Sequence, residues 1–195
     1  MCNDYEQQVA YADYLKAVRE AELEAQTSES EADLPRADDI KVGDLGPVVR
    51  AKGNGIELIM MTFGWPPARP KAPPTFNFKS DGRSFADSRR CLVVCSGFYE
   101  FTGTKYPKAK HRFRLKGSPV MAIAGLWSDK GGELGFTMLT TAPGPDVAPY
   151  HDRQVVVLGP KDWAHWLFLT KPETELLKPL TAGALTVDTV RSGSG

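Results

Sequence analysis

Residues 47–61 read Pro47-Val48-Val49-Arg50-Ala51-Lys52-Gly53-Asn54-Gly55-Ile56-Glu57-Leu58-Ile59-Met60-Met61. Two runs rich in β-branched and apolar residues flank Gly-Asn-Gly, a tripeptide that takes left-handed backbone at little cost. That combination predicts a β-hairpin. Further runs of the same kind follow it. Cys91 to Phe101, Phe136 to Thr141, Gln154 to Leu158 and Thr186 to Val190 read as strands. His111 to Leu115 and Pro119 to Ile123 read as a second hairpin around Lys116-Gly117-Ser118. Trp65 to Thr75 holds five prolines and reads as an irregular loop. Helical signals are fewer. Asn3 and Glu6 stand at capping-box spacing before Val9, Ala12, Leu15 and Val18, predicting a helix over about 4–24 and placing Cys2 at its N-terminus. A short helix is expected over Asp162 to Leu167. Another should open at the Thr170/Glu173 pair and run through Leu177. Many short strands with few helices predict an α+β fold: a mixed, strongly curved, half-barrel-like sheet with peripheral helices.

Size and charge bound the function. At 195 residues the chain is expected to form a single domain over 1–190, with 191–195 a flexible tail. Hydrophobic residues are 42% and charged residues 25%, a soluble globular balance. No run approaches a membrane span, and the N-terminus lacks the basic and apolar regions of a secretory signal. Three cysteines are too few for a disulfide scaffold, so a cytoplasmic protein is expected. The zero net charge hides an asymmetry. Residues 1–39 carry 3 Lys/Arg against 11 Asp/Glu, residues 40–117 carry 15 against 5, and residues 118–195 carry 6 against 8. A basic middle suits a polyanion such as nucleic acid, although the charges can also mix in three dimensions.

Cys2 carries the sharpest chemical signal. Initiator Met is commonly removed before a small residue, which leaves one residue with both an α-amine and a thiol. With reference pKa values of roughly 7.7–8.0 and 8.5, about a third of the amine and a tenth of the thiol are reactive near pH 7.5. An aldehyde reacts with such a pair first at nitrogen and then at the tethered sulfur, closing a thiazolidine. The plain alternative is an incidental cysteine. Cys91 and Cys95, four apart and without a nearby His, read as core thiols rather than metal ligands. His151, between Tyr150 and Asp152-Arg153, is an acid/base candidate or a histidine satisfied by a loop carbonyl. Glu100, in Gly97-Phe98-Tyr99-Glu100-Phe101, is either exposed or placed for a purpose, because an unpaired buried carboxylate is costly.

Taken as a set, these pieces resemble the SOS-response-associated peptidase (SRAP) family of abasic-site-processing proteins. The set comprises Cys2, Gly97-Phe98-Tyr99-Glu100, Ala124-Gly125-Leu126-Trp127, Thr137 to Ala142 and Ala148-Pro149-Tyr150-His151-Asp152-Arg153. The resemblance implies binding to single-stranded DNA that contains an abasic site, and a covalent link through Cys2. It further implies that His151 assists sugar ring opening, that Glu100 handles protons at the amine or imine, and that Asn77 orients the sugar or phosphate. Lys71, Lys79, Arg83, Arg89 and Arg90, with Arg69 and Arg153, would line a single-strand groove, and Trp65 would stack on a base. A monomer that needs neither metal nor cofactor is expected, associated with the nucleoid when DNA-bound.

Several motifs depart from the family. Asn77-Phe78-Lys79-Ser80-Asp81 stands where Asn-Ala-Arg-Ser-Glu is usual, so Lys79 loses bidentate phosphate geometry. Asp4 replaces a usual cation beside the nucleophile, and Asp39-Ile40-Lys41-Val42 replaces Asn-x-Ala-Pro. These changes suit altered DNA-binding surroundings and a mobile-element origin. Two other classes stay open: a non-covalent single-strand DNA-binding protein that retains Met1, and a Cys2-dependent hydrolase. No oxyanion hole for the hydrolase is legible in the sequence.

Overall fold

The structure is a computed structural model that describes residues 2–26, 28–67, 69 and 71–194. Thirteen strands and three α-helices are assigned among the described residues. The strands are β1 (Asp4–Gln7), β2 (Ala37–Lys41), β3 (Leu45–Lys52), β4 (Gly55–Phe63), β5 (Asn77–Lys79), β6 (Arg90–Cys95), β7 (Gly97–Thr102), β8 (Ala109–Leu115), β9 (Met121–Ser128), β10 (Gly135–Thr141), β11 (Gln154–Val155), β12 (Val157–Leu158) and β13 (Leu185–Arg191). The helices are α1 (Tyr11–Glu20), α2 (Pro160–Phe168) and α3 (Glu173–Leu176).

The hairpin at 47–61 forms as its sequence predicts: β3 and β4 pair antiparallel from Leu45↔Thr62 to Lys52↔Gly55, with Gly53 at φ +59° in the turn. That hairpin seeds a sheet whose curvature goes as far as closure. β3 pairs β6, β6 pairs β9, β9 pairs β10, and β10 pairs β4 in parallel, completing a ring of five strands. β10 changes neighbours along its length. Its first residues pair with β4 and β9, its last with β5 and β11. A second, five-stranded sheet runs in the order β13-β8-β7-β1-β2.

The period-2 alternation of strands sorts the core into two. On β6, Cys91, Val93 and Cys95 join one cluster while Leu92 and Val94 join the other. The first cluster spans the two sheets. Phe63 and Phe136 stack there at 5.0 Å, as do Phe98 and Phe113, and Tyr5 meets Phe63 edge-on at 5.7 Å. The second cluster lies beneath the helices, with Trp163 and Trp166 of α2 fully buried and Tyr14, Ala17 and Val18 of α1 beside them. Each such side chain contributes roughly 1.5–3 kcal/mol by leaving water. Gly125 permits close packing within the ring, since a Cβ there would meet the Thr137 carbonyl oxygen at 2.6 Å.

Four expectations need correction. The helix over 4–24 is instead β1 followed by α1, and the Asn3/Glu6 capping box does not form. All four residues of β1 are buried, and Tyr5 pairs with Ile40 on one side and Phe98 on the other, so sheet pairing outweighs a local helical pattern. β8 and β9 are not a hairpin. β8 pairs with β7 and β13 while β9 joins the ring, so residues 116–120 cross between sheets. Thr170 and Glu173 do not cap each other. The Thr170 hydroxyl contacts His165 Nδ1, while the Glu173 carboxylate accepts from the Phe85 backbone N–H and the Ser84 hydroxyl. Finally, the tail is held through residue 194: Arg191 lies in β13, and the Ser194 backbone N–H donates to the Pro107 carbonyl at 2.9 Å.

Candidate active site

Cys2 immediately precedes β1, so it lies at the start of a strand and not at a helix N-terminus. It is 1% exposed. Its Sγ donates to the Asp4 carbonyl at 3.3 Å, and its own carbonyl accepts from Asn77 Nδ2 at 2.8 Å. Asn77 is delivered by β5, whose parallel pairing with β10 sets Asn77 beside Met138. The Asn77 Oδ1 atom is buried with no hydrogen-bond partner among the described residues. Burial pushes the Cys2 thiol well above the usual thiol range, and the nearby Glu100 charge adds to it. The tenth-ionised thiol expected from reference values therefore does not hold in this environment.

Glu100 sits on β7, opposite His111 of β8, and is 2% exposed. Desolvation raises its pKa to about 7, with the Asp152 charge adding to the rise. A carboxyl titrating there is near half-protonated at neutral pH and can both accept and donate a proton. His151 Nε2 lies 3.9 Å from Glu100 Oε2. His151 Nδ1 lies 3.0 Å from the Arg153 backbone nitrogen and 2.9 Å from Asp152 Oδ1. Both contacts cannot be hydrogen bonds at once, because the first needs a lone pair on Nδ1 and the second a proton. The Asp152 side chain is 89% exposed and so does not depend on His151 for solvation, and the backbone bond is taken to set the tautomer, with the proton on Nε2, toward Glu100. Burial, only partly offset by Asp152, lowers the His151 pKa and keeps the ring neutral at pH 7.

Glu100 and His151 open onto a cleft of about 510 Å³ whose lining also includes Asn3, Asp4, Lys41, Tyr106, Lys108 and Arg191. The Asp4 and Asp39 substitutions meet here. Lys110 Nζ lies 2.9 Å from Asp4 Oδ2, contacts Asp39 Oδ1 and sits 3.6 Å from the Tyr99 ring centroid. Desolvation raises Asp4 to about 6 against the opposing pull of Lys110. At Asp39, burial works upward but Lys110 outweighs it and holds the carboxyl below its usual value. One lysine thus bridges both acids and offsets one of their two charges.

The cations named from the sequence divide. Arg153 belongs to the site's edge, with Nη2 on Asp81 Oδ2 at 2.5 Å and on the Thr140 carbonyl at 2.9 Å, and its Nε is buried without a partner among the described residues. Lys79 lies on β5, two residues beyond Asn77, and Arg83 is exposed with its guanidinium 6.0 Å from the Phe78 ring. Arg69 and Lys71 are exposed in the proline-rich loop. Arg89 pairs with Asp129 at 2.6 Å and lies over Trp127. Arg90 is not available to a phosphate. Its guanidinium donates to the carbonyls of Trp166, Leu167, Phe85, Ala86 and Ser88, fastening β6 to the end of α2. Trp65 is also engaged: its indole N–H donates to the Gly135 carbonyl at 3.1 Å and its ring packs on Phe78 at 5.2 Å. The sequence reading passed over Lys41, Tyr106, Lys108 and Arg191. The signal for two of them, Tyr106 and Lys108, was the basic run Lys105-Tyr106-Pro107-Lys108-Ala109-Lys110, with an aromatic inside it.

Cys91 and Cys95 are buried free thiols, and burial raises both. Among the described residues no group of three or more His, Cys, Asp and Glu is placed to hold a metal ion, and no helix is long and apolar enough to cross a membrane.

Comparison with known proteins finds a family and a shared fold. The family profile described as SOS response associated peptidase (SRAP) matches residues 1–193. The abasic site processing protein YoqW of Bacillus subtilis is 31% identical over 113 residues, covering 54% of this chain and 50% of that protein. YoaM of the same organism, also named an abasic site processing protein, is 33% identical over 89 residues, covering 41% and 38%. The matches thus span half or less of these relatives' lengths. Two crystal structures share the fold. A protein from Bordetella bronchiseptica has a TM-score of 0.70 at 22% identity, covering 97% of this chain and 100% of that one. One from Bacteroides thetaiotaomicron has a TM-score of 0.72 at 17% identity, covering 97% and 92%.

Proposed function

Because the chain belongs to the SOS response associated peptidase family, we propose that it recognises abasic sites in single-stranded DNA and bonds to them through Cys2. The observation that carries this reading is the convergence at Cys2. Asn77 fixes the residue's carbonyl, the Glu100 charge is felt at its thiol, and His151 lies 3.9 Å from Glu100 at the wall of an open cleft.

Hydrolysis of the Met1–Cys2 peptide bond frees the α-amine; Met1 itself lies outside the described residues. The opened abasic sugar presents an aldehyde at C1′. The amine attacks that carbon, and Glu100 in its acid form protonates the departing hydroxyl, which leaves as water to give an imine. The raised thiol pKa puts sulfur second: it stays protonated until the imine stands next to it. Glu100, now a carboxylate, takes the thiol proton as sulfur adds to the same carbon, and the imine, already protonated on nitrogen when the water leaves, becomes a secondary amine. The balance is aldehyde plus aminothiol giving thiazolidine plus one water. His151, neutral with Nε2–H toward Glu100, assists sugar ring opening. Asn77 Oδ1 accepts from the amine or a sugar hydroxyl. Lys79, Arg83 and Arg153 hold phosphates, in a monomer acting in the cytoplasm.

A non-covalent DNA-binding reading is favoured by one observation, the near-complete burial of the Cys2 thiol. One experiment separates the two. The protein is incubated with a single-stranded oligonucleotide carrying an abasic site, then analysed by denaturing electrophoresis and intact mass. The expected product is protein lacking Met1, plus DNA, minus one water, and Cys2→Ala abolishes it. A full-strength band from Cys2→Ala, or wild-type protein that binds the oligonucleotide and leaves it unmodified, refutes the covalent reading.

A further inference from the structure

The loop joining β7 to β8 carries an aromatic ring that the chemistry above leaves unused. Tyr106 is 83% exposed, the most exposed of the large hydrophobic side chains among the described residues. Exposure alone says little, but three further observations bear on it. Tyr106 lines the same cleft as Glu100 and His151. Cations surround it: Lys108 Nζ lies 5.6 Å from its ring centroid, and Lys41, Lys108 and Arg191 share the cleft wall. And the loop is tied down from the C-terminal end. Ser194 donates its backbone N–H to the Pro107 carbonyl at 2.9 Å and its hydroxyl to the Tyr106 carbonyl at 3.1 Å. Arg191 donates Nε and Nη2 to the Lys108 carbonyl at 3.1 and 3.0 Å. A ring held this way has met part of its ordering cost before any ligand arrives.

Resting on the single-stranded DNA reading, we infer that Tyr106 is a stacking platform for an undamaged base beside the lesion, with Lys108 and Arg191 on the adjoining phosphates. An exposed aromatic flanked by cations is what an unpaired strand needs, because every base offers a π-face and every linkage a charge. Of the acids at this end of the molecule, Asp4 and Asp39 are bridged by Lys110, which offsets one of their two charges. Topology gives the platform a direction. Tyr106 and Lys108 lie on the β7–β8 connection of the five-stranded sheet, whereas Lys79 lies on β5 and Arg153 directly precedes β11, both in the other sheet. DNA crossing Cys2 therefore passes from one sheet's cations to the other's, with Tyr106 receiving a base on one side only.

The test uses fluorescent single strands bearing tetrahydrofuran, an abasic analogue without an aldehyde, and reads affinity by anisotropy. Tyr106→Ala is expected to weaken binding about tenfold or more, and Tyr106→Phe less than twofold, because the ring is kept. Removing the bases one at a time along the strand, by further tetrahydrofuran substitutions, should abolish the difference between wild type and Tyr106→Ala at one position on one side of the lesion. Equal affinities for wild type and Tyr106→Ala, while wild type still forms an adduct with the true abasic oligonucleotide, overturn the platform and leave the covalent reading standing. Wild type that neither binds the analogue nor forms the adduct overturns both.

Discussion

Glu100 is held where burial makes its charge costly, so replacing it with Gln should stabilise the protein at alkaline pH while impairing the reaction. The native carboxyl titrates at about 7, against 4.5 for an unperturbed glutamate. Because the folded pKa is raised, the folded state keeps a proton that the unfolded chain has already released between those values. The carboxyl therefore subtracts from stability as pH rises through that window, and the full cost is present above pH 7. At about 1.4 kcal/mol for each pH unit, the window from 4.5 to about 7 amounts to about 3 kcal/mol. For a chain of this size that corresponds to a melting shift of roughly 6–12 °C. The assay is thermal or urea denaturation of wild type and Glu100→Gln at pH 4.5 and pH 8. The expected result is a stability difference between the two proteins that moves in favour of Gln by about 3 kcal/mol from the lower to the higher pH, with adduct formation slowed in the variant. Using the difference between proteins cancels the other titrating groups, including Asp4, whose raised value of about 6 acts in the same sense. Parallel pH profiles would refute the assignment of Glu100 as a carboxyl strained by burial.

Asn77→Leu keeps the side chain's bulk but loses the bond to the Cys2 carbonyl and the unused acceptor. Adduct formation should fall about tenfold or more with little change in melting temperature, as checked by single-turnover gels and calorimetry; an unchanged rate refutes the positioning role. Arg90→Met should cost about 2 kcal/mol or more in urea denaturation, because it strands five carbonyl contacts, while leaving single-strand affinity unchanged. A loss of affinity with stability intact would restore Arg90 as a phosphate contact.

What the sequence determined is local or compositional. The Gly-Asn-Gly turn fixed the β3–β4 hairpin because few other tripeptides accept left-handed backbone so readily. Alternation of apolar residues placed Cys91 and Cys95 on one buried face, and the motif set that includes Cys2, Glu100 and His151 is enough to mark the family. The tertiary structure decided what depends on partners distant along the chain. Residues 4–7 carry helical signals yet form a strand, because two neighbouring strands satisfy their backbone at once. Arg90 and Arg83 are the same residue type in one basic stretch, but only Arg90 meets the carbonyls at the end of α2. The raised pKa values at Glu100 and Cys2 arise mainly from burial, a property of the whole fold and of no single residue.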